Sequence, residues 1–284
     1  MKKYIVVVES GADLSKEMIE KYDIRVAQMH VEMDEQDHLD CDVTMEQLTG
    51  YFDRTGKVPK TAGVNPNQYQ EIFTRIKQET PDAIVLHLCY SAKLSIGYQS
   101  SILADDGSLK IYRIDTKSVS IGQAYIVMKT VEIIDGQPDI EPEELVARIE
   151  TIISKTRFSF VPGNLSYLRA GGRVSNAQFL GATLLLIKPL IELIDGLMIT
   201  TRKYKGPMRR VVRSMLTDYF VKYPIDKNEI FFVYACAIDN AVKKEMELKA
   251  AEAGIKNVVW LKTGGVITSH SGPGGLGVSG MELG

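Results

Sequence analysis

The chain has 284 residues, of which 45% are hydrophobic, and a net charge of −2. That length supports one large or two moderate domains with a substantial core, and the charge excludes a global electrostatic pull toward nucleic acid or an anionic membrane. Cys41, Cys89 and Cys236 are odd in number, widely spaced and without a CxxC, so neither a disulfide framework nor a zinc site is indicated.

Met1-Lys2-Lys3 imitates the start of an export signal, but Glu9 cuts the apolar run 4–8 short, which makes that run a first strand. No apolar stretch approaches the roughly 18 residues needed to span a bilayer, so the expectation is a soluble, cytoplasmic protein without a transmembrane segment. Leu14, Met18, Ile19 and Tyr22 follow at helical spacing behind Ser15 as a cap, and 24–31 reads as a second strand. Around His38 the acids Asp34, Glu35, Asp37 and Asp40 read as a solvated loop, since the order of a calcium loop is missing. Thr44 and Gln47 have the spacing of a capping box. Segments 83–88 and 110–114 are strands, each leading into a Ser/Gly turn and a helix-like segment. This alternation predicts an α/β domain with a mainly parallel sheet and ligand-binding turns at its strand ends.

Pro138 and Pro142 precede a helix carrying Leu145, Ile149 and Ile152, and a new pattern starts near Phe158. Segments 189–195 and 197–204 flank Asp195-Gly196, a hairpin signal. Strands over 229–237 and 258–267 enclose a helix ending at Gly254. The expected division is an α/β domain over 1–155 and a second over 156–284, with any ligand at their interface.

A literal Gly272-Pro273-Gly274-Gly275-Leu276-Gly277 lies behind His270. A dinucleotide fingerprint opens a helix in a βαβ unit of ~30 residues with an acid ~20 residues further on. Gly284 comes too soon for that, so nucleotide binding here is not expected. What remains is an imidazole followed by a turn whose N–H groups are expected to approach something anionic. His270 is either functional or satisfied by its neighbours Thr268, Ser269 and Ser271, and its chemistry favours neither. Other residues have a plain alternative. Thr61, in a polar turn, belongs to a class that ordinarily caps helices. Ser91, Ala92 and Ser95 follow a strand and precede a helix N-terminus, which suits a carboxylate or phosphate but equally needs a cap. Arg173, after Gly171-Gly172, fits a helix C-cap with a solvated guanidinium. Arg202, Lys203, Lys205, Arg209, Arg210 and Arg213 form a basic run without acids, either a solvated face or a mark of an acidic partner. His87, in an apolar strand, reads as a hydrogen-bonded core residue. No Gly-x-Ser-x-Gly elbow and no P-loop occur.

Taken in order, several blocks resemble the DegV family: 9–14, Thr61 with Pro66, Leu94-Ser95 with 98–100, 114–117, 168–175 with Gly-Gly-Arg, Lys188-Pro189 with Asp195-Gly196, and 270–274. The family's better-understood members are fatty-acid-binding subunits of bacterial fatty acid kinase. The resemblance implies two α/β domains with an acyl chain between them and no cofactor. It puts the carboxylate on Thr61, Ser95 and His270, with Ser91, Ala92, Gly272 and Gly274 in supporting loops. It puts kinase partnership and phosphate contact on Arg173 and on Lys205, where relatives carry arginine. Ala62-Gly63-Val64 stands for Ser-Gln-Pro, Ala92 for a serine, Ile96-Gly97 for Gly-Thr, Glu9 for an aspartate and Ala235 for a histidine. These departures bear on head-group geometry and partner use, not on fold. An acyl chain gains about 0.8 kcal/mol per buried CH₂, while its carboxylate needs hydrogen bonds. Phe160, Leu165, Leu184 to Ile187, Leu190 and Ile191 could line a tunnel or be ordinary core. The implied function is a carrier that presents a fatty acid to a separate kinase. The alternatives are a Ser95/His270 lipid ester hydrolase or a regulatory module for another amphipathic ligand.

Overall fold

The structure, a computed structural model, describes residues 3–174 and 187–283. Strand β1 (Tyr4–Glu9) is apolar from Ile5 to Val8, and side chains alternate across a strand, so it feeds two cores. Ile5 and Val7 join Val85, Tyr69 and Phe73, whereas Val6 and Val8 join Leu86, Leu88 and Ile126. Burial on both faces is the mark of a covered parallel sheet. After α1 (Lys16–Lys21), capped by Ser15 as expected, β2 (Arg25–Ala27) pairs parallel with β1. The strand expected over 24–31 breaks there. Its second part, β3 (His30–Met33), pairs instead with β4 (Gln36–Leu39) and later with β5 (Lys60–Ala62) in a small antiparallel sheet. Strand β4 replaces the loop expected around His38.

Helix α2 (Met45–Thr55) opens on the Thr44/Gln47 capping box, and α3 (Pro66–Glu79) on a second one at Asn65/Gln68. Strand β6 (Ile84–Cys89), α4 (Gly97–Leu103) and β7 (Lys110–Asp115) complete the parallel sheet in the order β2-β1-β6-β7. Helix α5 (Ser120–Gly136) is buried on every side over its first half. A helix apolar all round belongs between two layers. The second layer follows α6 (Pro142–Lys155) and consists of β8 (Thr156–Val161), α7 (Leu165–Gly171), β9 (Ile187–Ile194), β10 (Leu197–Lys205), α8 (Met208–Lys222), β11 (Glu229–Tyr234), α9 (Asn240–Glu252), β12 (Asn257–Lys262), α10 (Gly265–Ser271) and β13 (Leu276–Met281). Its strands form one mixed sheet, β10-β9-β8-β13-β11-β12, on which α5 packs through β8, β13 and β11. Helices α8 and α9 cover the far face around Met215, Phe232 and Met246.

The described strands of the two smaller sheets precede residue 155 and those of the six-stranded sheet follow it, yet one apolar cluster runs through both, from Val6 and Leu88 through α5 to Phe158 and Phe231. Among the described residues no helix is long and apolar enough to cross a membrane. Two later strands also need correction. The strand expected over 229–237 stops at Tyr234, and that over 258–267 stops at Lys262, after which the chain turns into α10. Leu190 packs with the α8–α9 cluster, and Ile191 with the central one. Leu184 to Leu186 lie outside the described residues.

The Asp195-Gly196 hairpin forms as expected, both residues having positive φ (47° and 79°), which matches the twist of the flanking strands. Its tip fastens the two halves together. The Ser91 hydroxyl donates to the Gly196 carbonyl at 2.7 Å, and Lys93 and Lys117 hold the Asp195 carboxylate at 2.8 and 3.1 Å. A Cβ at 196 would lie 2.9 Å from the Ser91 Oγ. Gly196→Ala is therefore expected to lower stability by about 1–2 kcal/mol, from the left-handed backbone alone. Urea unfolding checks this, and an unchanged midpoint contradicts it.

Candidate functional site

Four separate segments converge on His270. Helix α10 carries the imidazole near its C-terminus, and Nε2 lies 2.9 Å from the Thr61 Oγ1 on β5. That bond joins positions 209 residues apart. On the other side stands the end of α7. A Cβ at Gly171 would sit 2.2 Å from the imidazole Nδ1, so only glycine permits this approach. Gly172 then takes the left-handed cap (φ 62°), as the Gly-Gly-Arg motif requires. Arg173 leaves that turn toward the imidazole, its guanidinium steadied by the Gly171 carbonyl at 2.9 Å. Burial, and then the Arg173 charge, push the His270 pKa down from 6.5 to about 4, so the ring is neutral at physiological pH.

The fourth segment is the loop between β6 and α4. The Ser95 N–H donates to the Ser91 carbonyl, and the Ser95 Oγ accepts from the Gly97 N–H at 3.3 Å. Ser95 is not the N-cap of α4, which is Ile96, but stands one residue before it. Gly63 lets the loop approach β5, since a Cβ there would lie 2.7 Å from the Ser95 Oγ. Thr61, Gly63, Ala92, Ser95, Arg173 and His270 line one cleft of about 500 Å³, joined by Lys93 and Ile96 at its edge. Ser91 lies behind it, its hydroxyl engaged by the hairpin.

An apolar cavity shares the Tyr90, Met198 and His270 walls of this cleft and continues inward between Phe158, Phe160, Val233 and Leu276. It measures about 30 Å³, close to the volume of one water. A long acyl chain enters only if these side chains part. Phe160 thus lines the cavity, and Leu165 packs against the central core.

One expectation fails here. The turn after His270 does not present free N–H groups: those of Gly272, Gly274 and Gly275 donate to the carbonyls of Thr268, Cys236 and Gly272. Gly272 and Gly274 shape the turn (φ 71° and 80°) and do not cradle an anion. Lys205 closes β10, seven residues beyond Met198, or about 23 Å along an extended strand. It is not among the cleft-lining residues. Much of the basic run is held by acids that α8 and α9 supply: Arg202 pairs with Asp218, and Arg209 and Arg213 with Glu245.

Sequence reasoning missed the role of Glu9. Fully buried, it accepts from the Tyr69 hydroxyl, the Tyr90 N–H, Gln123 and His87 at 2.6 to 3.2 Å. Burial alone would raise its pKa. The electrostatic interaction with His87 and these hydrogen bonds outweigh that and hold the carboxyl below its usual range. A Cβ at Gly97 would lie 2.7 Å from its Oε1, so the longer acid at 9 and the missing side chain at 97 fit each other. The Tyr90 N–H tie anchors the cleft loop to β1. His87 is the hydrogen-bonded core residue expected, with Ser101 at 2.9 Å on its other nitrogen.

A family model described as "Uncharacterised protein, DegV family" matches residues 3–282. The chain belongs to the DegV family. A DegV domain-containing protein of Clostridium perfringens is 28% identical over 291 residues, covering 98% of this chain and 97% of that one. Among solved structures, a DegV family protein from Thermus thermophilus described as binding fatty acid superposes with a TM-score of 0.87 at 24% identity, covering 99% and 100% of the two chains. One from Ruminococcus gnavus, solved with vaccenic acid, gives 0.83 at 21%, covering 98% and 99%.

The lowered His270 pKa has a consequence for stability. Between pH 4 and 6.5 the unfolded chain binds the proton that the folded imidazole refuses, so stability rises with pH across that window and falls as pH drops through it. NMR of the imidazole should give a midpoint near 4, and His270→Gln should flatten that part of the stability profile. A midpoint at 6.5 contradicts the burial argument.

Proposed function

We propose that the protein binds a long-chain fatty acid, with its carboxylate in the polar cleft and its chain in the adjoining apolar cavity, and presents it to a separate fatty acid kinase. The observation that carries this reading is the junction at His270, where a cleft carrying Thr61, Ser95 and Arg173 shares its Tyr90, Met198 and His270 walls with a mainly apolar cavity. With the His270 proton on Nε2, the Thr61 hydroxyl accepts from the imidazole and has its own proton free to donate to a carboxylate. Ser95 offers a second hydroxyl, and Arg173 a positive charge at the same cleft. Binding of fatty acid by the Thermus thermophilus protein and of vaccenic acid by the Ruminococcus gnavus protein supports the ligand class.

Met198 borders both spaces, and its unbranched side chain moves at low cost, which suits a partition between cleft and cavity. Arg173 is the residue suited to the kinase step, because a planar guanidinium makes two-pronged contacts to carboxylate or phosphate. The hydrolase alternative lacks support. Ser95 makes no bond to His270, whose Nε2 is taken by Thr61, and the Nδ1 faces the backbone of Gly171 instead of an orienting acid.

Native mass spectrometry of protein purified from a heterologous host tests the reading, with a long-chain fatty acid expected at substantial occupancy. Thr61→Val should weaken uptake by the delipidated protein about tenfold, the worth of one hydrogen bond to a charged group. Arg173→Ala should retain uptake and lose phosphorylation by the kinase. No acyl species and no uptake by the wild type would refute the function. Unaltered binding in the Thr61 variant would move the carboxylate elsewhere.

A further inference from the structure

Helix α10 has no side-chain cap of its own: its N-cap is Gly264. The first-turn N–H groups of a helix need acceptors, and here they come from the opposite end of the sequence. The Gly264 N–H donates to the Asp13 Oδ1 at 2.7 Å, and the Val266 N–H to the Asp40 Oδ1 at 2.8 Å. Both aspartates are only 5% exposed. Ser120, at the start of α5, donates to the other oxygen of Asp13. Gly264 and Gly265 make the approach possible, since a Cβ on either would lie 3.1 Å from Asp40. No other described element supplies a side-chain acceptor to this turn.

We propose that Asp13 and Asp40 are positioning residues, which seat the first turn of α10 and thereby set the register of His270 against Thr61. Helix α10 is seven residues long, about 10 Å from end to end, so a shift at its start is carried to the imidazole. The two acids lie after β1 and after β4, in the half that also supplies Thr61 through β5. The same half therefore holds both ends of the Thr61–His270 contact, one directly and one through the helix. Burial raises the pKa of both carboxyls, that of Asp13 to about 8, so the pair sits at the helix start without two full charges at neutral pH. The consequence for ligand rests on the head-group reading above; the positioning itself does not.

The test is the His270 titration by NMR in ligand-free, full-length protein, together with binding of hexadecanoate. Asp40→Ala and Asp13→Ala should each move the His270 midpoint upward by about one unit or more as the imidazole leaves its seat, and weaken hexadecanoate binding about tenfold. Asp40→Asn keeps an oxygen for the Val266 N–H and should restore both values. A purely structural role would lower the melting temperature and leave the His270 midpoint where it is, which overturns the proposal, as does an Asn variant no better than Ala. Should the Ala variants fail to fold, Gly265→Ala, which presses on Asp40 and Val43, decides: an unmoved His270 overturns the proposal and a moved one supports it. If the wild type binds no hexadecanoate while the midpoint shifts as described, the positioning stands and the head-group reading falls.

Discussion

The imidazole of His270 is confined on every side, and the rest of the site is arranged by that confinement. Gly171 touches one nitrogen and Thr61 the other, while Arg173 and the surrounding burial keep the ring uncharged. A neutral imidazole can donate through one nitrogen without bringing a buried charge of its own, which suits the head-group role proposed for it. The contact also joins β5 of the three-stranded sheet to helix α10, which follows β12 at the edge of the six-stranded sheet. Helix α5, buried on every side over its first half, and the Asp195-Gly196 tip hold the two halves of the chain together.

Legibility in the sequence followed how local each signal is. The hairpin was readable because Asp195 and Gly196 carry the positive φ angles within two residues. The Ser15 cap and the Thr44 box were readable for the same reason. Helix α10 was not. Its start lies in a β-branched run, its caps are Asp13 and Asp40, more than 220 positions away, and nothing nearby announces a helix. Glu9 and Gly97 likewise look like two independent departures from the family pattern until the structure places one against the other. The glycine-rich turn misled because glycine permits N–H exposure without causing it. In this chain carbonyls of α10 and the Cys236 segment take those donors.

The site residues divide in the same way. Thr61, Ser95, Arg173 and His270, picked out by resemblance, meet in one cleft. Lys205 does not, because position along β10 and not charge decides what it can reach. The basic run appeared unopposed only because its acids, Asp218 and Glu245, arrive later in the chain. The inner cavity is narrow because its walls fit one another, so the acyl chain of the proposed function would have to separate Met198 and the stacked Phe158–Phe160 pair from their neighbours.

The central claim is that a carboxylate sits against Thr61 and His270. Hexadecanoate labelled with ¹³C at its carboxyl, bound to delipidated protein and followed by NMR, tests this most directly. The account predicts a bound carboxyl resonance that stays in its ionised position from pH 8 down to 5, with magnetisation transfer to the His270 ring. A bound carboxyl that titrates like the free acid, or that leaves the His270 signals untouched, would contradict it.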